Sequence, residues 1–463
     1  MNMFLLNRLR RSFLLRVCFS LIVVSLLWLQ VGVFIYRGAE VYNPIRFMHK
    51  NATLMLNHDN FSEIEVAQPA NLTVLELNYT VNFENANQII WNPEDIEWPP
   101  TNKSGLWPDG IVIVIQVHNR INYLRKLLQS LSQSRWIEKA LLIFSHNIYS
   151  EELNELIRSI PFCSVMQIYF PFSLQLYPST FPGESQKDCP RDITKLKAII
   201  TGCNNAHSPD LYGHYREARY SQTKHHWWWK TNFVFSKIRI LQNYDGPVIF
   251  LEEDHYAAED FLHVLWLQQQ LLLGKGTCSF CNQARILSLG TYPKMFNHRV
   301  TSDQVELLPW VSSKHNMGMA FNRTVWREFL LCSDMFCNID DYNWDWSLYH
   351  VAQQCLPKKL RNNVDSKKQF SLAALVLKAP RVFHIGECGV HHRKASCSQD
   401  STTLHKAEKS LESARQINKL FPISLKTKNL ISSKTIRVRK GNGGWGDPRD
   451  KDLCASFTLN LDS

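Results

Sequence analysis

The chain has 463 residues, 45% of them hydrophobic and 20% charged, with a formal net charge of +11 at neutral pH. It is long enough to bury a sizeable core, and it shows neither a short repeat nor a heptad run, which sets aside solenoids and coiled coils. A basic excess can serve nucleic-acid binding, but four of the positive charges are Arg8, Arg10, Arg11 and Arg16 at the N-terminus. The remainder suits an anionic small substrate, a membrane surface or simply a solvated charged face.

Residues 1–16 hold those arginines and no acid, and residues 17–36 are then apolar apart from small or weakly polar side chains and Gln30. A helix of that length spans a hydrocarbon core of about 30 Å. The basic flank predicts a cytoplasmic tail, with everything after Arg37 lumenal. A cleaved signal peptide has a shorter apolar region and a small-residue cleavage site, whereas this run closes on Phe34-Ile35-Tyr36. The expectation is a single-pass type II membrane protein, a topology that puts nucleic acid out of reach.

Residues 37–104 read as a polar stem ending in Trp98-Pro99-Pro100. Five Asn-x-Ser/Thr acceptors, Asn51, Asn60, Asn71, Asn78 and Asn102, precede Ile111, and a sixth is Asn322. Their clustering suits a glycosylated, solvent-exposed segment. Of twelve cysteines only Cys18 lies in the apolar run. The rest permit five disulfides and one free thiol on an oxidising side. Short-range closures that chain geometry permits are Cys189 with Cys203, Cys278 with Cys281 and Cys388 with Cys397. Cys278 and Cys281 also have the spacing of half a zinc site or a redox pair, although no second cysteine pair lies near in sequence.

Residues 105–463 carry an α/β rhythm, the expected domain after the stem. The β-branched run 110–115 predicts a parallel strand covered on both faces. Leu124, Leu128 and Leu131 then predict a helix over 120–132, and short apolar runs at 140–144, 165–170 and 247–251 predict further strands. This alternation favours a doubly wound sheet over an all-β sandwich. In such sheets ligands bind beyond the carboxyl ends of the strands. Gln116, Val117, His118, Asn119 and Arg120 begin where the first strand ends, and Glu252-Glu253-Asp254-His255 follows the later one. Three carboxylates and an imidazole behind a buried strand are costly unless paired or metal-bound, so Mn²⁺ or Mg²⁺ bridging a carboxylate and a diphosphate is one reading and a solvated strand exit the other.

Two further clusters stand out. Around Lys224, His225, His226 and the Trp227-Trp228-Trp229 triplet, helical spacing sets a lysine beside tryptophans, an arrangement that holds phosphates at the edge of an apolar body or simply belongs to the core. Asp340-Asp341-Tyr342-Asn343-Trp344-Asp345-Trp346 combines acids able to abstract a hydroxyl proton with rings that receive sugar faces. A helix start capped by Asp341 or Asn343 is the structural alternative. The run 380–384 predicts a strand delivering His384 into a site, with His391 and His392 following; each is a metal-ligand candidate or a structural histidine.

These strings resemble the N-acetylglucosaminyltransferase II family, over about 111–454. The carriers are QVHNR at 116–120, FPFS at 170–173, GHYREA at 213–218, SQTKHHWWWK at 221–230, LEEDH at 251–255, LSLGTY at 287–292, DDYNWDW at 340–346, RVFHIGECGVHH at 381–392 and NGGWGD at 442–447. The resemblance implies a Rossmann-like GT-A domain in the Golgi lumen that transfers N-acetylglucosamine, with inversion, from UDP-GlcNAc to the α-1,6-arm mannose of an N-glycoprotein acceptor glycan, using Mn²⁺. It implies nucleotide-sugar contacts at residues 116–120, Asn147, Gln222, Thr223, Lys224, His225 and His226. It puts the metal at Asp254 and His384, the base at Asp345, and Lys224 or Arg120 beside the leaving diphosphate. Asn147 departs from the family, which has Asp where the base is recognised; an amide oxygen also accepts a hydrogen bond. Further disulfides implied are Cys332–Cys355 and Cys337–Cys454, leaving Cys163 free. A relative acting on another mannose and a non-catalytic lumenal glycan binder are the competing readings, and homo-oligomerisation stays open.

Overall fold

The computed structural model describes residues 90–91, 110–276, 278–292, 297–356, 372–387, 402–427 and 440–459. The apolar run 17–36, the five upstream acceptors, Cys388, Cys397, His391 and His392 lie outside these. Among the described residues no helix is long and apolar enough to cross a membrane.

In chain order the elements that place the site begin with β1 (Ile90–Trp91), β2 (Ile111–Val117), α1 (Ile121–Ser132), β3 (Ala140–His146), α2 (Glu151–Arg158) and β4 (Ser164–Tyr169). α3 (Lys195–Thr201), α4 (Ala218–Ser236), β5 (Val248–Glu252), β6 (His255–Ala257), α5 (Phe261–Leu272), β7 (Ala284–Ser288) and β8 (Gln304–Pro309) follow. The rest are β9 (Met319–Phe321), α6 (Arg323–Leu330), α7 (Ser333–Asn338), α8 (Trp344–Gln354), β10 (Ala373–Leu377), β11 (Val382–His384), α9 (Thr402–Gln416), β12 (Lys426–Thr427) and α10 (Pro448–Leu459). Among the described residues the main sheet runs β1-β4-β3-β2-β5-β9-β7-β10-β8-β12, and β11 pairs with β6 separately.

The expected parallel unit is β4-β3-β2-β5. Its strands are buried nearly throughout and largely apolar because both faces are covered. Ile111, Ile113, Ile115 and Val117 pack in one core with Leu124, Leu127, Leu128 and Leu131 of α1, while Val112 and Val114 pack in the other with the α4 tryptophans. Beyond β5 the sheet changes character: β9 runs antiparallel to both β5 and β7. At the other edge β1, inside the stretch whose composition reads as stem, pairs antiparallel with β4.

α4 is buried nearly all round, so all three tryptophans are core. Trp227 stacks on Trp344 of α8 at 4.4 Å, Trp228 on Phe336 of α7 at 4.2 Å, and Trp229 lies 5.6 Å from Phe170 after β4. One helix thus fixes α7 and α8 against the sheet. The disulfides Cys189–Cys203, Cys278–Cys281, Cys332–Cys355 and Cys337–Cys454 are formed, and Cys163 is a buried free thiol. The 278–281 bridge removes the zinc and free-dithiol alternatives.

Cys337–Cys454 ties α7 to α10 across a sequence separation of 117, against 3 for Cys278–Cys281. Loop-closure entropy assigns about 4–5 kcal/mol of ideal stabilisation to a loop of that size, and native strain reduces the figure. Replacing both Cys337 and Cys454 by Ser should therefore lower the denaturant midpoint more than the Cys278/Cys281 double replacement does. An equal or smaller drop in paired unfolding curves would contradict this.

Candidate active site

Parallel register brings the ends of β3, β2 and β5 together, with Gln116 beside both Ser145 and Glu252. The Glu253 amide donates to the Gln116 carbonyl at 3.0 Å. In return the Glu253 carboxylate accepts the His118 amide at 2.7 Å and Arg120 Nε at 2.6 Å. Arg120 Nη1 reaches Asp254 Oδ2 at 2.7 Å. Burial alone would weaken the Arg120 charge, but Asp254 and Glu253 outweigh it and raise its pKa.

His384 arrives from the other side. β11 pairs antiparallel with β6 so that His384 lies opposite His255, and the Ile385 amide donates to the Asp254 carbonyl at 2.9 Å. His384 Nε2 then stands 3.3 Å from Asp254 Oδ2. Burial pushes the Asp254 carboxyl up, yet His384 and Arg120 together hold it well below the usual carboxylate range. Asp254 Oδ1 is buried with no hydrogen-bond partner. No cluster of three or more His, Cys, Asp and Glu among the described residues forms a closed metal cage. A carboxylate with one unpartnered oxygen, Oδ1, and an imidazole beside its other oxygen do fit a hard divalent cation that takes its remaining ligands from phosphates and water.

Asp345 lies in the first turn of α8. Its Oδ1 accepts the Trp346 amide at 2.9 Å and its Oδ2 accepts Asn316 Nδ2 at 3.2 Å. Burial, with like charge from Asp341 and Glu252, pushes its carboxyl up to about 7. The Tyr292 phenol, 6.3 Å between ring centroids from His384, is within electrostatic reach of Glu252, Asp254 and Asp345. These three acids therefore lie near one phenol. The neighbouring acids do different work: Asp340 accepts the Leu211 and Trp445 amides, and Asp341 accepts the Asn343 and Asn442 amides. Neither Asp341 nor Asn343 caps α8 in the ordinary side-chain manner; Asn343 occupies the cap position, but its side chain donates to Asp341 at 3.1 Å and makes no cap bond.

Among the other residues singled out in the sequence, Asn147 follows β3 and its buried Oδ1 lacks a partner, an acceptor aimed at no protein donor. Val117 is fully buried and Asn119 is exposed. The α4 residues are mostly joints. Gln222 Oε1 accepts the Leu174 amide at 2.7 Å, Thr223 donates to the Tyr220 carbonyl at 2.7 Å, and His225 Nε2 contacts the Asp450 carbonyl at 2.9 Å. Lys224 is fully buried, and its ammonium donates to the carbonyls of Ile339 and Asp341 at 3.2 and 3.0 Å. It clamps the loop before α8 and does not line an open phosphate site. His226 is also buried; its Nε2 bonds Ser145 at 2.8 Å, at the end of β3. Sequence reasoning gave no role to Lys230, whose buried ammonium holds Gln116 Oε1, or to Asn316 and Tyr292. Lys230 ends a string already singled out, whereas Asn316 carries no local signal.

A family model described as N-acetylglucosaminyltransferase II (MGAT2) matches residues 78–454. The chain is 45% identical over 357 residues to the alpha-1,6-mannosyl-glycoprotein 2-beta-N-acetylglucosaminyltransferase of Rattus norvegicus, covering 77% of this chain and 76% of that one. It is 44% identical over 357 residues to the protein of the same name from Homo sapiens, covering 77% and 75%. With the Arabidopsis thaliana protein of that name the identity is 30% over 361 residues, or 75% of each chain.

A Cβ added at Gly386 would meet Asp254 Oδ2 at 2.3 Å, so the carboxylate must shift. With Asp254 as a cation ligand, Gly386→Ala would weaken divalent-cation affinity by about 10–100-fold, the usual cost of disturbing a ligand's support. The change would be read as free against bound Mn²⁺ by electron paramagnetic resonance. Unaltered affinity would remove Asp254 from the cation site.

Proposed function

This chain belongs to the N-acetylglucosaminyltransferase II family, and from that membership and the geometry at the sheet's carboxyl edge we infer that it transfers N-acetylglucosamine from UDP-GlcNAc to the α-1,6-arm mannose of N-glycans. The linkage formed is β-1,2, with inversion, on the pathway to complex N-glycans. The protein works as a type II Golgi membrane enzyme with its catalytic domain in the lumen, on N-glycoprotein acceptors. The observation that supports the mechanism is the contrast between two acids near this edge. Asp254 meets a guanidinium at 2.7 Å and an imidazole at 3.3 Å, which favour its charged form. Asp345 instead meets a backbone amide and the Asn316 side chain, with burial raising its carboxyl.

Inversion asks for one base on the acceptor side and one charge-stabilised leaving group opposite it. Asp345 takes the proton from mannose O2 as that oxygen attacks the anomeric carbon. Its oxygens each accept one protein hydrogen bond, which fixes the carboxylate while leaving each oxygen a further lone pair for the hydroxyl. UDP departs from the opposite face. Asp254 and His384 would hold Mn²⁺, which supplies Lewis-acid charge at the diphosphate when bound. Arg120 keeps Asp254 ionised and oriented for that duty, and its place in the mechanism is behind the ligand. Asn147 offers its unpartnered amide oxygen to the uracil N–H. His118 and Asn119 border the nucleotide, while the buried Gln116, Val117, Lys224, His225 and His226, together with Gln222 and Thr223, support that border from behind.

The decisive test of the reaction is mass spectrometry of products from acceptors presenting either the α-1,6 or the α-1,3 terminal mannose. Transfer to the α-1,6 mannose, abolished by chelator and restored by Mn²⁺, is the expected result. Exclusive modification of the other arm would select the related transferase, and glycan binding without UDP release would select a lectin.

The proposed base gives a pH prediction with a definite sign. A carboxyl protonating near 7 is inactive as a base below that pH, so kcat/KM should fall about tenfold per pH unit on the acid side of 7 and level off above it. Asp345→Asn should lower turnover by about 10²–10⁴-fold and remove that acid limb, with UDP affinity little changed. Near-normal transfer by this variant would end the assignment.

A further inference from the structure

The sheet edge opposite the catalytic one carries a second concavity, a cleft of about 560 Å³. It opens where β5 and β7 begin and where β9 passes into α6, so a full strand length of β5 separates it from Glu252 and Asp254. Its volume falls within the usual range for small-molecule sites. Its walls mix an aromatic ring, Tyr244, and the leucines Leu272 and Leu273 with the amide of Asn282. Leu273 is 65% exposed, a large aliphatic surface left open to water at the rim. Ring and aliphatic faces interleaved with amides suit the alternating apolar faces and polar edges of a pyranose.

The same cleft is lined by Asn322 and Thr324, which with Arg323 between them form an Asn-x-Thr acceptor. Asn322 is the N-cap of α6, and the cap uses only its oxygen: Oδ1 accepts the Val325 amide at 3.2 Å. Its Nδ2 makes no hydrogen bond among the described residues. Substitution on Nδ2 therefore leaves the cap intact. We propose that Asn322 carries an N-linked glycan whose innermost sugars lie in this cleft and cover Leu272 and Leu273. The proposal rests on the lumenal topology given above.

The attachment is a group transfer from a lipid-diphosphate-linked oligosaccharide to the nascent chain. A bond forms between Asn322 Nδ2 and the anomeric carbon of the donor sugar, the bond from that carbon to the diphosphate oxygen breaks with its electron pair staying on oxygen, and the amide proton goes to a base of the transferring enzyme. No oxidant or reductant takes part. The product sits on the face of the sheet edge remote from the proposed donor site, so transfer activity does not depend on it.

The full chain, expressed in glycosylating eukaryotic cells, would be deglycosylated enzymatically in heavy-oxygen water and mapped by peptide mass spectrometry. Labelled Asp at 322 is the expected result. Thr324→Ala should remove that label while retaining the cap, Thr324→Ser should keep it, and both variants should transfer sugar at the parent rate. Seating is read separately: the native protein should release the Asn322 glycan more slowly than the upstream glycans, the difference should vanish on denaturation, and Leu273→Asp should abolish it. An unlabelled Asn322 alongside labelled upstream sites overturns the proposal and leaves the topology standing. If all the acceptors are bare, the lumenal reading fails together with it. A labelled Asn322 released from the native protein as fast as the upstream glycans overturns the seating in the cleft.

Discussion

The guanidinium of Arg120 reaches from the loop after β2 to two successive carboxylates after β5, meeting Glu253 at 2.6 Å and Asp254 at 2.7 Å. Without it, the turn 252–254 would bring three like charges to the end of a buried strand, where unpaired ions cost several kcal/mol each. Removing one partner of a buried pair typically costs about 3–5 kcal/mol, a sizeable part of a domain's net stability. Glu253 is the silent member of this set. It is fully buried, and its two oxygens bind the His118 amide and Arg120, so it fixes the arginine and leaves Asp254 as the acid with an oxygen to give. The His384 strand can then approach because the Asp254 carbonyl and carboxylate both have a use for it.

The opposite wall of the site is built by a different device. Residues 339–343 form an irregular loop whose polar groups need partners, and these come from three distant parts of the chain. Lys224 in α4 donates to two of its carbonyls, the 442–445 segment donates amides to Asp340 and Asp341, and the Leu211 amide donates to Asp340. Trp445, fully buried, closes this arrangement: its Nε1 donates to the Cys337 carbonyl at 2.7 Å, and the Lys224 ammonium stands 4.1 Å from its ring centroid. Burial lowers the Lys224 pKa to about 7, against the pull of Asp341 and Asp340. The Cys337–Cys454 bridge fastens the tail beside the same loop. The C-terminal segment is in this sense part of the wall that carries Asp345.

The parallel half of the fold was legible because its strands are buried on both faces, which leaves a continuous β-branched run in the sequence and puts the polar residues just after it. β9 and β1 were not: each is too short to show a period, and β1 sits in a polar context. In the site, the acid turn and His384 could be located from strand ends alone. The role of Lys224 could not, because helical spacing next to tryptophans reads the same for a surface cradle as for a helix buried all round. Choosing Asp345 among three acids depended on the family resemblance. The physical difference lies in donors at 211, 316, 442 and 445 that occupy Asp340 and Asp341 or steady Asp345, and no local pattern near 340–346 announces them.

The two proposed functional acids start from the same side chain and are driven apart by their surroundings. Asp254 is buried but meets a guanidinium and an imidazole, and these outweigh desolvation. Among the described residues Asp345 meets neutral donors, an amide N–H and the Asn316 side chain, which steady the carboxylate without neutralising it, while Asp341 and Glu252 add like charge. A carboxylate that must hold a cation has to stay ionised throughout, whereas one that must accept a proton is most effective with a pKa near the working pH. For the base proposed at Asp345, neutral donors are the fitting ones: a cation in the place of Asn316 would hold the carboxylate firmly and, by lowering its affinity for the proton, weaken it as a base.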